Sequence, residues 1–80
     1  GAAIKKDISI PYSELKNCVG EAMKQVSETG GLVYVGYKNK FVSVPAVSKE
    51  VIKKGKRIKI VDFTESEVIC IQVSDDYKNS

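Results

Sequence analysis

From Val19 to Val73 the chain divides into short runs in which apolar and polar positions alternate, separated by glycine, asparagine and charged residues. A period of two marks strands with one buried face. Val19 to Glu28 is the first candidate strand, with Ala22 and Val26 on one face and Met23 on the other. Thr29-Gly30-Gly31 turns the chain, because paired glycines accept the positive φ that a hairpin needs. Leu32 to Tyr37 is the second strand, rich in β-branched and aromatic residues. Tyr37-Lys38-Asn39-Lys40 turns back into Phe41 to Val47, the third. There Val42, Val44 and Ala46 share one face, and Phe41, Ser43 and Pro45 the other. Pro45 has no N–H, which predicts an edge or a bulge at that point.

Ser48 to Lys54 interrupts the alternation. Ser48 can cap a helical turn with Glu50 in its first residues and Lys53 and Lys54 in its last, and Gly55 ends it. Lys56 to Phe63 is the fourth strand, with Ile58 and Ile60 inward, Arg57 and Lys59 outward, and a change of phase near Val61 that suggests a bulge. After Thr64-Glu65-Ser66, Glu67 to Val73 is the fifth, with Ile69, Ile71 and Val73 assigned inward. Ahead of the strands, Ser13 to Asn17 can form one helical turn capped by Ser13. A longer helix from Tyr12 to Val26 is opposed by Gly20 in its middle and by Val19 and Val26. The expected fold is all-β: a small five-stranded OB-fold-like barrel with one short helical turn between the third and fourth strands. An SH3-like barrel is the alternative. Residues 1–18 are assigned to a tail or linker in which Asp7 to Tyr12 can run extended, residues 19–74 to the barrel, and residues 75–80 to a fraying tail.

Eighty residues make one domain. Such a chain buries only about 60% of its unfolded surface, so its core is small. Hydrophobic residues at 42% and charged ones at 29% are ordinary for a globular protein. Thirteen Lys plus Arg against ten Asp plus Glu give +3, well short of the dense positive stripe of a dedicated nucleic-acid binder. No run approaches the ~20 apolar residues of a membrane helix. The chain opens Gly1-Ala2-Ala3 without an initiator methionine, as expected of the remnant of a cleaved tag or of a piece cut from a longer protein.

The chain has no histidine, the commonest general base and a common metal ligand. Ser13, Ser43 and Ser48 therefore lack that base, and Asp75-Asp76 stands in the tail without support. Gly30-Gly31 is followed by no Lys-Ser/Thr pair, so it is no phosphate loop. Cys18 and Cys70 match no zinc or redox spacing. They are expected to be reduced thiols, which suits a domain facing the cytoplasm. No catalytic, cofactor or metal site is expected. Two features could bind. Lys53, Lys54, Lys56, Arg57 and Lys59 cluster about Gly55 and could attract phosphate, an acidic partner or anionic headgroups; they equally fit a solvated turn and the outward face of a strand. Tyr34, Tyr37 and Phe41 flank the second hairpin beside Lys38 and Lys40, where nucleic-acid-binding barrels stack bases. They equally fit ordinary hairpin packing, and alternation puts Tyr34 on the face opposite Tyr37. The binding patch drawn from both features is Lys53, Lys54, Lys56, Arg57, Lys59, Tyr37 and Phe41.

The order of these features resembles the soluble C-terminal domain of the NfeD family. Val19-Gly20-Glu21-Ala22 resembles its opening glycine and small residue, and Gly30-Gly31-Leu32-Val33 its turn into the second strand. Ala46-Val47-Ser48, Ile52-Lys53-Lys54-Gly55 and Arg57-Ile58-Lys59-Ile60-Val61 resemble its most recognisable portion. The resemblance spans Val19 to Val73. Glu28-Thr29-Gly30 departs from it, since the family often has proline in that turn, and Asp7 to Asn17 match nothing in it. The resemblance implies a five-stranded OB-like barrel on a membrane protein whose transmembrane helices precede this domain. It implies flotillin- or stomatin-like scaffold proteins as partners and no catalysis here, the serine-protease domain of longer members being absent. The alternative function is a small single-stranded nucleic-acid-binding OB module.

Overall fold

The computed structural model describes residues 11–77. Residues 1–10 of the tail or linker expected over 1–18, which include the start of the extended run from Asp7, and residues 78–80 lie outside the described residues. Five strands follow one 3-10 turn at Tyr12–Leu15: β1 Val19–Ala22, β2 Leu32–Tyr37, β3 Lys40–Val47, β4 Arg57–Phe63 and β5 Val68–Gln72. They close into a barrel in the order β1-β2-β3-β5-β4, with β4 pairing back onto β1. Only β3 and β5 run parallel, through Ala46 with Val68 and Val47 with Ile69. This is the small all-β, OB-like barrel that the alternation predicts.

The core is apolar and continuous, from Leu15 and Ala22 through Val33, Val35, Val44 and Ala46 to Ile58, Ile60, Val68 and Cys70. Each strand supplies every second residue, as the pleat requires. β1 and β2 meet closely at Gly20, where a Cβ would stand 2.0 Å from the Tyr34 carbonyl oxygen. That approach admits only glycine. The β2–β3 hairpin turns on Lys38 and Asn39, both at positive φ (51° and 66°), as a two-residue hairpin turn requires. Pro45 sits just before the β3–β5 ladder begins, on a stretch of edge that needs no N–H.

The structure corrects four expectations. The first strand stops at Ala22 instead of running to Glu28. Beyond it the chain curls so that Val26 and Ile52 exchange two backbone hydrogen bonds, each 2.8 Å. Those bonds also remove the helical turn expected between β3 and β4, because they occupy the Ile52 N–H and C=O. The segment is instead extended at Ile52, and a tight turn follows in which Gly55 takes φ +90° and the Lys56 N–H donates to the Lys53 carbonyl. Ser48 caps no helical turn, though its Oγ accepts the Glu50 N–H at 3.2 Å. Among the described residues the one helical turn lies before β1, begins after Pro11 and has no side-chain cap, so Ser13 is within it. Its Leu15 is fully buried in the core.

The fourth correction concerns β5. Val68 and Cys70 point inward, and Ile69 and Ile71 outward. The register with β4 sets this phase. Ile60 faces Cys70 and Lys59 faces Ile71, and residues paired across two strands share a face. The bulge anticipated near Val61 is present, as a register shift between Ile60 and Asp62.

Candidate interaction surface

The five basic residues are not equivalent. Lys53, Lys54 and Lys56 are exposed around the Gly55 turn. Arg57 and Lys59 stand on the outer face of β4 and are half-buried. The C-terminal Tyr77 occupies both: Arg57 Nε donates to the Tyr77 carbonyl at 2.9 Å, and Lys59 Nζ to its hydroxyl at 2.8 Å. The Lys59 ammonium also lies 5.3 Å from the centre of that ring. Two of the five cations are thus already satisfied from within the chain. Nearby, Ser74 Oγ donates to Asp76 Oδ1 at 2.7 Å. That bond, with the Arg57 charge among the further causes, holds the Asp76 carboxyl below its usual range.

Tyr37 and Phe41 share a hairpin but not a face. Tyr37 packs against the core, and its hydroxyl donates to Glu14 Oε1 at 2.5 Å. That bond pushes the Tyr37 phenol above its ordinary pKa, and Lys38 over the ring opposes it. Phe41 stands outside and stacks on Tyr34, with ring centroids 5.1 Å apart at 15°. A concavity of about 590 Å³ lies beside this pair, lined also by Glu21, Arg57 and Asp75. Two carboxylates against one guanidinium give it the wrong sign for a nucleic-acid backbone.

Sequence reasoning missed the outer face of β5. Val47 at the end of β3, Ile69 and Ile71 on β5, and Val61 at the β4 bulge put aliphatic side chains at the surface. Lys49, Glu50 and Asp62 border them. Glu50 is held in place because its Oε2 accepts the Gln72 N–H at 3.1 Å. The missed signal lay in β4, whose Arg57-Ile58-Lys59-Ile60 alternation fixes the phase of any strand paired with it.

Both cysteines are free thiols. Burial, with the nearby Glu50 charge, pushes the Cys70 thiol up to about 11, and burial raises Cys18 as well. Among the described residues no group of three or more His, Cys, Asp or Glu is placed to hold a metal, and no helix is long and apolar enough to cross a membrane.

No protein-family model matches the sequence, and a search of curated proteins finds no match. Among solved structures, the chain resembles the solution structure of the soluble domain of the NfeD protein YuaF from Bacillus subtilis. The TM-score is 0.65 at 21% identity, over 74% of each chain. The barrel described here has the fold of an NfeD soluble domain.

Proposed function

We propose that the chain is a non-catalytic protein-interaction module, the soluble domain of an NfeD-like membrane protein that docks flotillin- or stomatin-like scaffold proteins from the cytoplasmic side. The observation that carries this reading is the fold shared with an NfeD soluble domain over three quarters of both chains. The surface is consistent with it. The hydroxyl of Ser48 is engaged with the Glu50 amide, and the chain has no histidine to activate a serine. Large apolar side chains stand outside the barrel at Tyr34, Phe41, Val51 and Ile71, as a docking surface requires.

The Tyr34–Phe41 stack favours a second reading, a single-stranded nucleic-acid module. Glu21 and Asp75 beside that stack, and Tyr77 on Arg57 and Lys59, count against it. One experiment separates the two: the 80-residue chain is titrated against a detergent-solubilised stomatin-like protein and against labelled single-stranded DNA and RNA at low salt. The module reading predicts saturable binding to the protein and none to the strands. Strand binding that weakens steeply with salt would overturn it.

A further inference from the structure

Two concavities on the outside of the barrel share Ser48, Lys49 and Ile69 and so form one groove. One, of about 520 Å³, takes its apolar lining from Val61, Ile69 and Ile71. The other, of about 310 Å³, takes its from Val47 and Ile69. The rim is charged. Glu28, Glu50 and Asp62 line it with Lys49, so the groove carries an excess of carboxylates on a chain whose net charge is +3. Lys59, the neighbour of Ile71 on β4, does not line the groove, and its ammonium is held by the Tyr77 hydroxyl. The Glu50 charge reaches the floor of the groove, where it adds to burial in raising the Cys70 thiol.

The backbone edge here is partly occupied. The β3–β5 ladder ends at Ile69, and the Gln72 amide beyond it is held by Glu50. That favours recognition through side chains, which is how a helix lies in a groove.

We propose that this groove receives an amphipathic helix of a partner protein, with an apolar face on Val47, Val61, Ile69 and Ile71 and lysine or arginine facing Glu28, Glu50 and Asp62. The proposal rests on the interaction-module reading above and names its binding face. Charge complementarity selects the occupant. A basic helix gains from three carboxylates, whereas anionic lipid headgroups are repelled by them.

The test is an NMR titration of the labelled 80-residue chain with a synthetic leucine–lysine peptide patterned to form one apolar helix face. A leucine–glutamate peptide of the same pattern and phosphatidylglycerol vesicles are run beside it. Expected are shifts confined to the groove with the lysine peptide, and none with the other two probes. Ile71→Lys should weaken binding by about tenfold or more, equivalent to about 1.4 kcal/mol. Should that variant fail to fold, the double reversal Glu28→Lys with Asp62→Lys, at exposed positions, should weaken it severalfold. Shifts centred on Tyr34 and Phe41, equal binding of the glutamate peptide, or vesicle binding through these residues would overturn the proposal. So would groove shifts that follow protein concentration alone, since a second copy would then be the occupant. The stomatin-like protein separates the two claims. If it binds Ile71→Lys as tightly as the wild type, the groove is wrong and the module reading stands. If it binds neither chain while the lysine peptide fills the groove, the groove stands and the module reading fails.

Discussion

Val68 and Cys70 on one side of β5, and Ile69 and Ile71 on the other, are neighbours in sequence with opposite fates. The first two are sealed in the core, opposite Phe63 and Ile60. The second two face outward, opposite Asp62 and Lys59. Full burial of an isoleucine stabilises a fold by about 1.5–3 kcal/mol. At 41% exposure Ile71 forgoes part of that until something covers it. Tyr34 is as exposed, also at 41%, yet Phe41 stacks on its ring. Equal exposure therefore does not mean equal availability. The aromatic face is partly satisfied by its own members and by the Tyr77 contacts next to it. The β5 face has charged neighbours at its rim and open space over its floor.

The sharpest way to break the contrast is to truncate each face in turn. Ile60→Ala, on the inner side of the ladder, should cost about 2–5 kcal/mol and leave so small a domain largely unfolded in a denaturant melt. Gly55→Val comes next. Its φ of +90° strains any β-branched residue, but a Cβ there meets no atom within 4 Å, so the cost is backbone strain alone, on the order of 1–2 kcal/mol. A loss as large as that of Ile60→Ala would mean that the turn is packed and not open. Ile71→Ala should cost less, about 1 kcal/mol or under, because the side chain is only partly buried, while weakening groove binding. If it cost as much as Ile60→Ala, the phase of β5 would be reversed and the groove would vanish.

Cys70 sharpens the same contrast through pH. Its thiol is raised from 9.0 to about 11 in the folded chain, so the folded state favours the protonated form. Its contribution to stability is fully present below the unfolded pKa near 9 and is lost as pH rises through about 11. Denaturant melts between these values should show the decline, and Cys70→Ala should flatten it. In the native state at mildly alkaline pH, Cys18 should react with a thiol reagent well before Cys70, because it is only partly buried.

Much of the barrel was legible in the chain. β2 is bounded as its β-branched run indicated, and β4 alternates cleanly enough to reveal both its inward isoleucines and its bulge. Three features were not legible, each for a physical reason. Val68-Ile69-Cys70-Ile71 contains no polar residue, so nothing local fixes its phase; only the pairing with β4 does. Ser48 to Lys54 carries helix-like charge order, but the long-range bridge from Ile52 to Val26 takes its backbone groups. The binding patch drawn around Lys53 to Lys59 with Tyr37 and Phe41 is divided by the fold. Tyr37 faces inward, Phe41 stacks on Tyr34, and Arg57 and Lys59 are engaged by Tyr77. A contact between β4 and the C-terminal segment has no signature in the spacing of either.

Which isoleucines stand outside decides whether the groove exists, and one measurement reads that directly. A soluble gadolinium chelate added to the isoleucine-methyl-labelled chain should broaden Ile71 strongly and Ile69 in part, and leave Ile52, Ile58 and Ile60 sharp. Protection of Ile71 equal to that of Ile60 would contradict the phase of β5 and, with it, the groove.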